Sequence, residues 1–154
     1  MEQHRVTSRT KARRRAVDVL FEADQRGEYT PDGLRTLLSE RIDLSAAQTP
    51  LPAYSRQIVA GVSQDCAAID RILSSYIQGW TLDRLPAVDR AILRMAVWEL
   101  FRNDEVDAPV SIAEAATLAA QLSTDDSPGF INAVLDRLRQ LGPAVAAEFD
   151  SQMD

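Results

Sequence analysis

The chain has 154 residues, 45% of them hydrophobic and 26% charged, which suits one domain with a real apolar core and excludes a wholly disordered chain. One cysteine, Cys66, cannot close an internal disulfide, and there is neither a leader-like apolar run nor a stretch of about 18 apolar residues, so the chain reads as cytoplasmic with no membrane partner. The lone histidine, His4, leaves the body without imidazole triads or multi-histidine metal sites, and the net charge of −6 argues at first against a nucleic-acid ligand.

Taken in order, residues 1–7 read as a flexible N-terminal tail. Ser8 or Thr10 caps a first helix that runs to about Arg26, with Ala12, Ala16, Val17, Leu20 and Phe21 at helical spacing and Gly27 as its stop. Thr30-Pro31 opens a second helix with Leu34, Leu37, Leu38 and Ile42 inside. Residues 43–52, including Gln48, Pro50 and Pro52, read as a loop. A long helix follows from Ala53 to the Gly79-Trp80 stop, bent or broken between Gly61 and Asp65. Residues 81–85 form a connector, and Pro86 starts a helix through about Asn103 that is apolar almost all round, the pattern of a central helix. After a loop over 104–109, Ser111-Ile-Ala-Glu114 has the capping-box pattern and opens an alanine-rich helix. Ser127-Pro128 opens another that ends at Gly142-Pro143, and 143–154 reads as a C-terminal tail, partly helical. No segment shows sustained alternation of strand type. The expected fold is a single all-α domain over 8–142 with six or seven helices.

The net charge hides a segregation. Residues 1–15 carry six basic residues and one acidic residue, so +5, and the remainder carries −11. Lys11 is the only lysine, and all the other cations are arginine, the side chain suited to forked phosphate contacts and base stacking. A basic arm on an acidic body points to a polyanion held by the arm. On a helical wheel Arg9 and Arg13 continue the line of the apolar stripe. Since isolated cations cannot be buried there, the first turns are expected to project beyond the packed body or lie along its edge. The alternative is a solvated helix start, but cations there oppose the helix dipole.

Other constellations are weaker. Phe21 sits at the margin of the first helix's apolar face and reads as core edge or stacking platform. Tyr76 and Trp80 can serve as partner contacts, while Trp98 and Phe101 read as core. Asp125-Asp126 before a helix reads as helix-start electrostatics, with acceptance from a base amine as the alternative. A phosphate-binding glycine loop, CxxC, HExxH and GxSxG are all missing from the sequence, so no catalytic residue, no metal site and no cofactor are expected, and a binding module is favoured over an enzyme.

Several segments together resemble the NusB family of transcription antitermination factors, in its actinobacterial branch: Arg13-Arg14-Arg15-Ala16-Val17…Leu20-Phe21, Ala60-Gly61-Val62, Trp80-Thr-Leu-Asp-Arg-Leu-Pro-Ala-Val88-Asp89-Arg90-Ala-Ile-Leu93-Arg94, Glu99-Leu100, Val110-Ser-Ile112-Ala-Glu114-Ala115 and Asp126-Ser127-Pro-Gly-Phe130-Ile131-Asn132. Their order spans about residues 8–140. The resemblance implies two packed helical subdomains. It further implies binding of boxA single-stranded RNA in ribosomal RNA leader transcripts, a heterodimer with the small-subunit ribosomal protein NusE, and entry into an RNA polymerase antitermination complex. By position it implies RNA contacts at Arg9, Lys11, Arg13, Phe21, Asp126 and Phe130, and NusE contacts at Tyr76 and Asp89; Arg14, which stands where some relatives have a non-basic residue, joins the RNA candidates as part of the same basic run. A second reading is a NusB-like helical module associated with a ribosomal RNA cytosine methyltransferase. A third is a homodimer closed through the arm face that binds no RNA.

Overall fold

The computed structural model describes residues 7–46 and 49–151, over 44–46 the backbone alone. The expected tail residues His4 and Arg5, and Gln48 of the expected loop, lie outside them. Among the described residues there is no strand. Seven α-helices follow one another: α1 Ser8–Gln25, α2 Pro31–Ala46, α3 Ala53–Tyr76, α4 Ala87–Arg102, α5 Ala108–Leu122, α6 Ser127–Gln140 and α7 Gly142–Asp150, with a 3₁₀ turn at Leu82–Arg84 between α3 and α4.

Local chemistry sets most of the boundaries. Thr7 rather than Ser8 or Thr10 caps α1. Its hydroxyl accepts from Thr10 N–H at 3.1 Å, and Thr10 Oγ1 accepts from Thr7 N–H at 3.1 Å, a capping box made by two threonines. Gly27 follows α1 at φ +70°, a left-handed position that favours glycine. Thr30 caps α2 by accepting from Gly33 N–H at 2.9 Å. α2 runs to Ala46, four residues into the expected loop. α3 is bent at Asp65, whose φ −114° and ψ 18° leave the helical region.

Helices α1, α2 and α3 pack on one another, α4, α5 and α6 build the other half with α4 lying against α1 and α3, and α7 packs chiefly on α3 and also on α6. One continuous apolar cluster joins the halves. The all-round apolar pattern of α4 is explained by burial of every residue from Ala91 to Glu99. α3 and α4 approach closely where Gly61 faces Trp98: a Cβ there would lie 2.0 Å from the indole Nε1, so only glycine fits.

Two further expectations are corrected. α5 begins at Ala108, not Ser111, because Pro109 is tolerated in a first turn and the N–H groups of Val110 and Ser111 both reach the Asp107 carbonyl. Ser111 is therefore buried inside the helix, and Glu114 turns inward instead of capping. The expected C-terminal tail folds back as α7. It buries Val145 and Phe149, and the Phe149 ring lies 5.6 Å from that of Phe101.

Candidate nucleic-acid interface

α1 carries two different surfaces, and the basic residues divide between them. Thr10, Ala12, Arg13, Ala16, Val17 and Leu20 are buried, so the first turns are packed into the body rather than projecting from it. Arg13 is 2% exposed. Its Nε donates to Glu99 at 2.9 and 3.1 Å, and its Nη1 donates to Glu114 at 2.7 Å. Glu114 also accepts from Thr10 Oγ1 at 2.7 Å. The Tyr54 hydroxyl donates to Glu99 and accepts from Asn103 Nδ2 at 3.0 Å. Burial, reinforced by that bond to Glu99, pushes the Tyr54 pKa far up. The expectation that a cation on this stripe cannot be buried is overturned: α4 and α5 each bring a carboxylate to meet it. Arg13 faces these carboxylates and is not a surface phosphate contact.

Arg9 shares this inner region. Its guanidinium lies 4.4 Å above the Tyr54 ring, a cation–π contact, and it borders a groove with Glu105, Val106, Asp107 and Val110.

The outer face differs. Lys11 and Arg14 are exposed and make no ion pair among the described residues, while Arg15 is half-buried and reaches the Thr49 carbonyl at 3.3 Å. Three- and four-residue steps align Lys11, Arg14 or Arg15, Asp18, and Phe21 on one stripe. The Asp18 carboxyl is held above its ordinary range by partial burial, with Arg14 and Arg15 pulling it down. Phe21 is half-buried, its inner edge packed on the core. About ten residues separate Lys11 from Phe21, or about 15 Å of helix at 1.5 Å each, a length that several nucleotides can follow.

The remaining expected residues lie elsewhere. Asp126 is exposed just before α6, with no side-chain capping bond. Phe130 and Tyr76 line one groove with Gln78, Ala133 and Arg137, so these two aromatics are neighbours. Tyr76 donates to Glu148 of α7 at 2.7 Å. Asp89 is buried, and its Oδ2 accepts from Ser127 Oγ at 2.8 Å. This corrects its expected place on the partner surface: it ties the start of α4 to the start of α6. The large exposed aromatic near this end is Trp80, 58% exposed, beside Gly79 at φ +82°.

The motif around Arg90 and Arg94 is structural. Arg94 forks onto Asp70 with two 2.8 Å bonds and covers the Tyr29 ring at 3.5 Å. Arg90 joins Asp24 at 2.7 Å and the carbonyls of Leu82 and Leu85 at 3.1 Å, pinning the 3₁₀ turn to α1. Sequence reasoning missed the ion pairs because they join residues 66 and 24 positions apart in the chain. Among the described residues, no helix is long and apolar enough to cross a membrane.

The chain is similar to known proteins over nearly its whole length. The model of the NusB family matches residues 10–140. The chain is 48% identical over 147 residues to the transcription antitermination protein NusB of Beutenbergia cavernae, covering 93% of this chain and 96% of that protein. It is 50% identical to the protein of the same name from an Arthrobacter species, covering 92% of this chain and all of that one. Among solved structures, T. maritima NusB superposes with a TM-score of 0.68 at 30% identity over 94% of both chains. A chain in the crystal structure of a plectonemic RNA supercoil superposes with a TM-score of 0.73 at 25% identity, covering 88% of this chain and 96% of that one. With a family model spanning most of the chain and relatives near half-identical end to end, this chain belongs to the NusB family of transcription antitermination proteins.

Proposed function

We propose that this protein binds boxA single-stranded RNA of ribosomal RNA leader transcripts along the outer face of α1. It does so together with NusE, as a non-catalytic, cytoplasmic component of an RNA polymerase antitermination complex. The observation that carries this reading is the exposed pair Lys11 and Arg14 beside Arg15, in line with the half-buried ring of Phe21. Such a surface offers phosphate contacts and a stacking edge, the two elements of single-strand recognition. The acidic body repels a polyanion elsewhere, which favours the arm.

The shared groove of Tyr76 and Phe130, with Trp80 exposed near the α3–α4 connection, supports a partner docking on that end. An exposed tryptophan is a common anchor of protein interfaces, and an acidic body suits a basic ribosomal protein. Asp126 and Phe130 would then extend the RNA path next to the partner.

A titration of fluorescent boxA RNA, with and without NusE, at two salt concentrations tests the reading. Three or four phosphate contacts give a log–log salt slope of about −2 to −3, at about −0.7 per phosphate for single strands. A flat salt response, or affinity unchanged by the combined change Lys11→Ala and Arg14→Ala, overturns it.

A further inference from the structure

We infer that two buried acidic residues, Glu99 and Glu114, are positioning residues for RNA: they hold the first turns of α1 in the helical phase that points Lys11, Arg14 and Arg15 outward. The inference rests on the RNA reading above and deepens it.

The first turn of α1 contains no acidic residue and does contain Arg9 and Lys11. Cations at a helix N-terminus oppose its dipole, and a short unanchored helical turn is marginal in water. The turn is nonetheless formed and packed. The negative charge it lacks comes from other helices: Glu114 on α5 bonds both Thr10 and Arg13, and Glu99 on α4 bonds Arg13. Tyr54 on α3 holds Glu99 from the other side and carries Arg9 on its ring. Three helices thus grip the inner face of α1 at Thr10 and Arg13. Ser55 adds a fourth tie at the same level, donating to the Ala12 carbonyl at 2.7 Å. Lys11 and Arg14 are interleaved with the gripped residues on the opposite side. Release of the grip lets these turns fray, and the outer cations lose their common direction.

Two mechanisms predict opposite signs. By long-range electrostatics alone, removing a carboxylate from an acidic protein tightens polyanion binding. By positioning, it weakens binding. The test measures boxA RNA affinity and its salt slope for full-length Glu114→Ala, Glu99→Ala and Tyr54→Phe, at a temperature where circular dichroism and the melting curve show each variant folded. The expected result is about tenfold weaker binding for the two glutamate variants, with a salt slope shallower by about 0.7 for each phosphate that the arm no longer neutralises, and a smaller loss for Tyr54→Phe. Loss of stability alone would move the melting temperature and leave the salt slope of the folded protein unchanged. Equal or tighter binding by the folded variants overturns the inference, and if the glutamate variants do not fold, Tyr54→Phe decides: unchanged affinity and slope overturn it. Failure of the wild type to bind RNA overturns the RNA reading and this inference together. Binding weakened by Lys11→Ala but not by Glu114→Ala overturns this inference alone.

Discussion

The inner and outer faces of α1 are built from the same kind of residue and behave oppositely. Arg13 and Arg14 are adjacent in sequence; one is 2% exposed and held by two carboxylates, and the other is exposed with no ion-pair partner among the described residues. A rotation of one residue along a helix separates a structural cation from a ligand-ready one. A run of basic residues therefore reports charge, not accessibility. Which members of the run reach a ligand depends on what distant helices bring to the other side.

That contrast can be broken from either side. The largest effect is expected at Arg13. Arg13→Ala removes the guanidinium that bonds buried Glu99 and Glu114, and breaking a buried pair in this way costs about 3–5 kcal/mol. A urea or thermal unfolding curve checks it, and a loss below about 0.5 kcal/mol, the range of ordinary surface changes, would place Arg13 outside the structural set. Gly61→Ala comes next. It thrusts a methyl group into the Trp98 indole, and overpacking costs about 1–3 kcal/mol; the same unfolding curves report it. On the outer face the stability cost should vanish. Lys11→Ala with Arg14→Ala is expected to stay within about 0.5 kcal/mol of the parent while RNA affinity falls about tenfold.

The smallest effect concerns Asp18, the acidic residue in the basic stripe. Asp18→Asn is expected to tighten RNA binding about two- to threefold, since an exposed charge contact is worth about 0.2–1 kcal/mol. The pH dependence has a definite sign. The Asp18 pKa lies above its ordinary value because partial desolvation of this surface carboxyl disfavours the charge, ahead of the opposing pull of Arg14 and Arg15. On acidification Asp18 therefore neutralises before an ordinary carboxylate does, and the fold is relieved of a disfavoured charge. RNA affinity measured on lowering the pH should rise in the parent and stay flat in Asp18→Asn at that step.

Much of the fold is legible in the sequence because its signals are local. The Gly27 stop, the Thr30-Pro31 start, the bend near Asp65 and the all-round apolar α4 each depend on residues within a few turns of one another. The errors share the opposite property. Glu114 carries a capping-box spacing, yet its partner is Arg13, 101 residues away. Asp89 looks like a surface acid at a helix start, yet it is buried against Ser127, 38 residues on. The residues expected as a tail are recruited by Phe101, whose ring only a folded chain brings to Phe149. The candidate site is legible as a segment, the start of α1, but not as a face. The wheel places Arg9 and Arg13 on the apolar side, and the conclusion that they must escape it is reversed by partners the wheel does not show, two carboxylates for Arg13 and the Tyr54 ring for Arg9.

The two tryptophans are unequally placed, Trp80 58% exposed and Trp98 5% exposed. Each therefore reports on a different event through its own emission. Iodide should quench Trp80 and spare Trp98 in the native protein, and a protein that docks over the α3–α4 connection should shield the first without altering the second. Unfolding should instead shift the second to the red. A single fluorescence sample can thus tell assembly from denaturation without any label added to the chain.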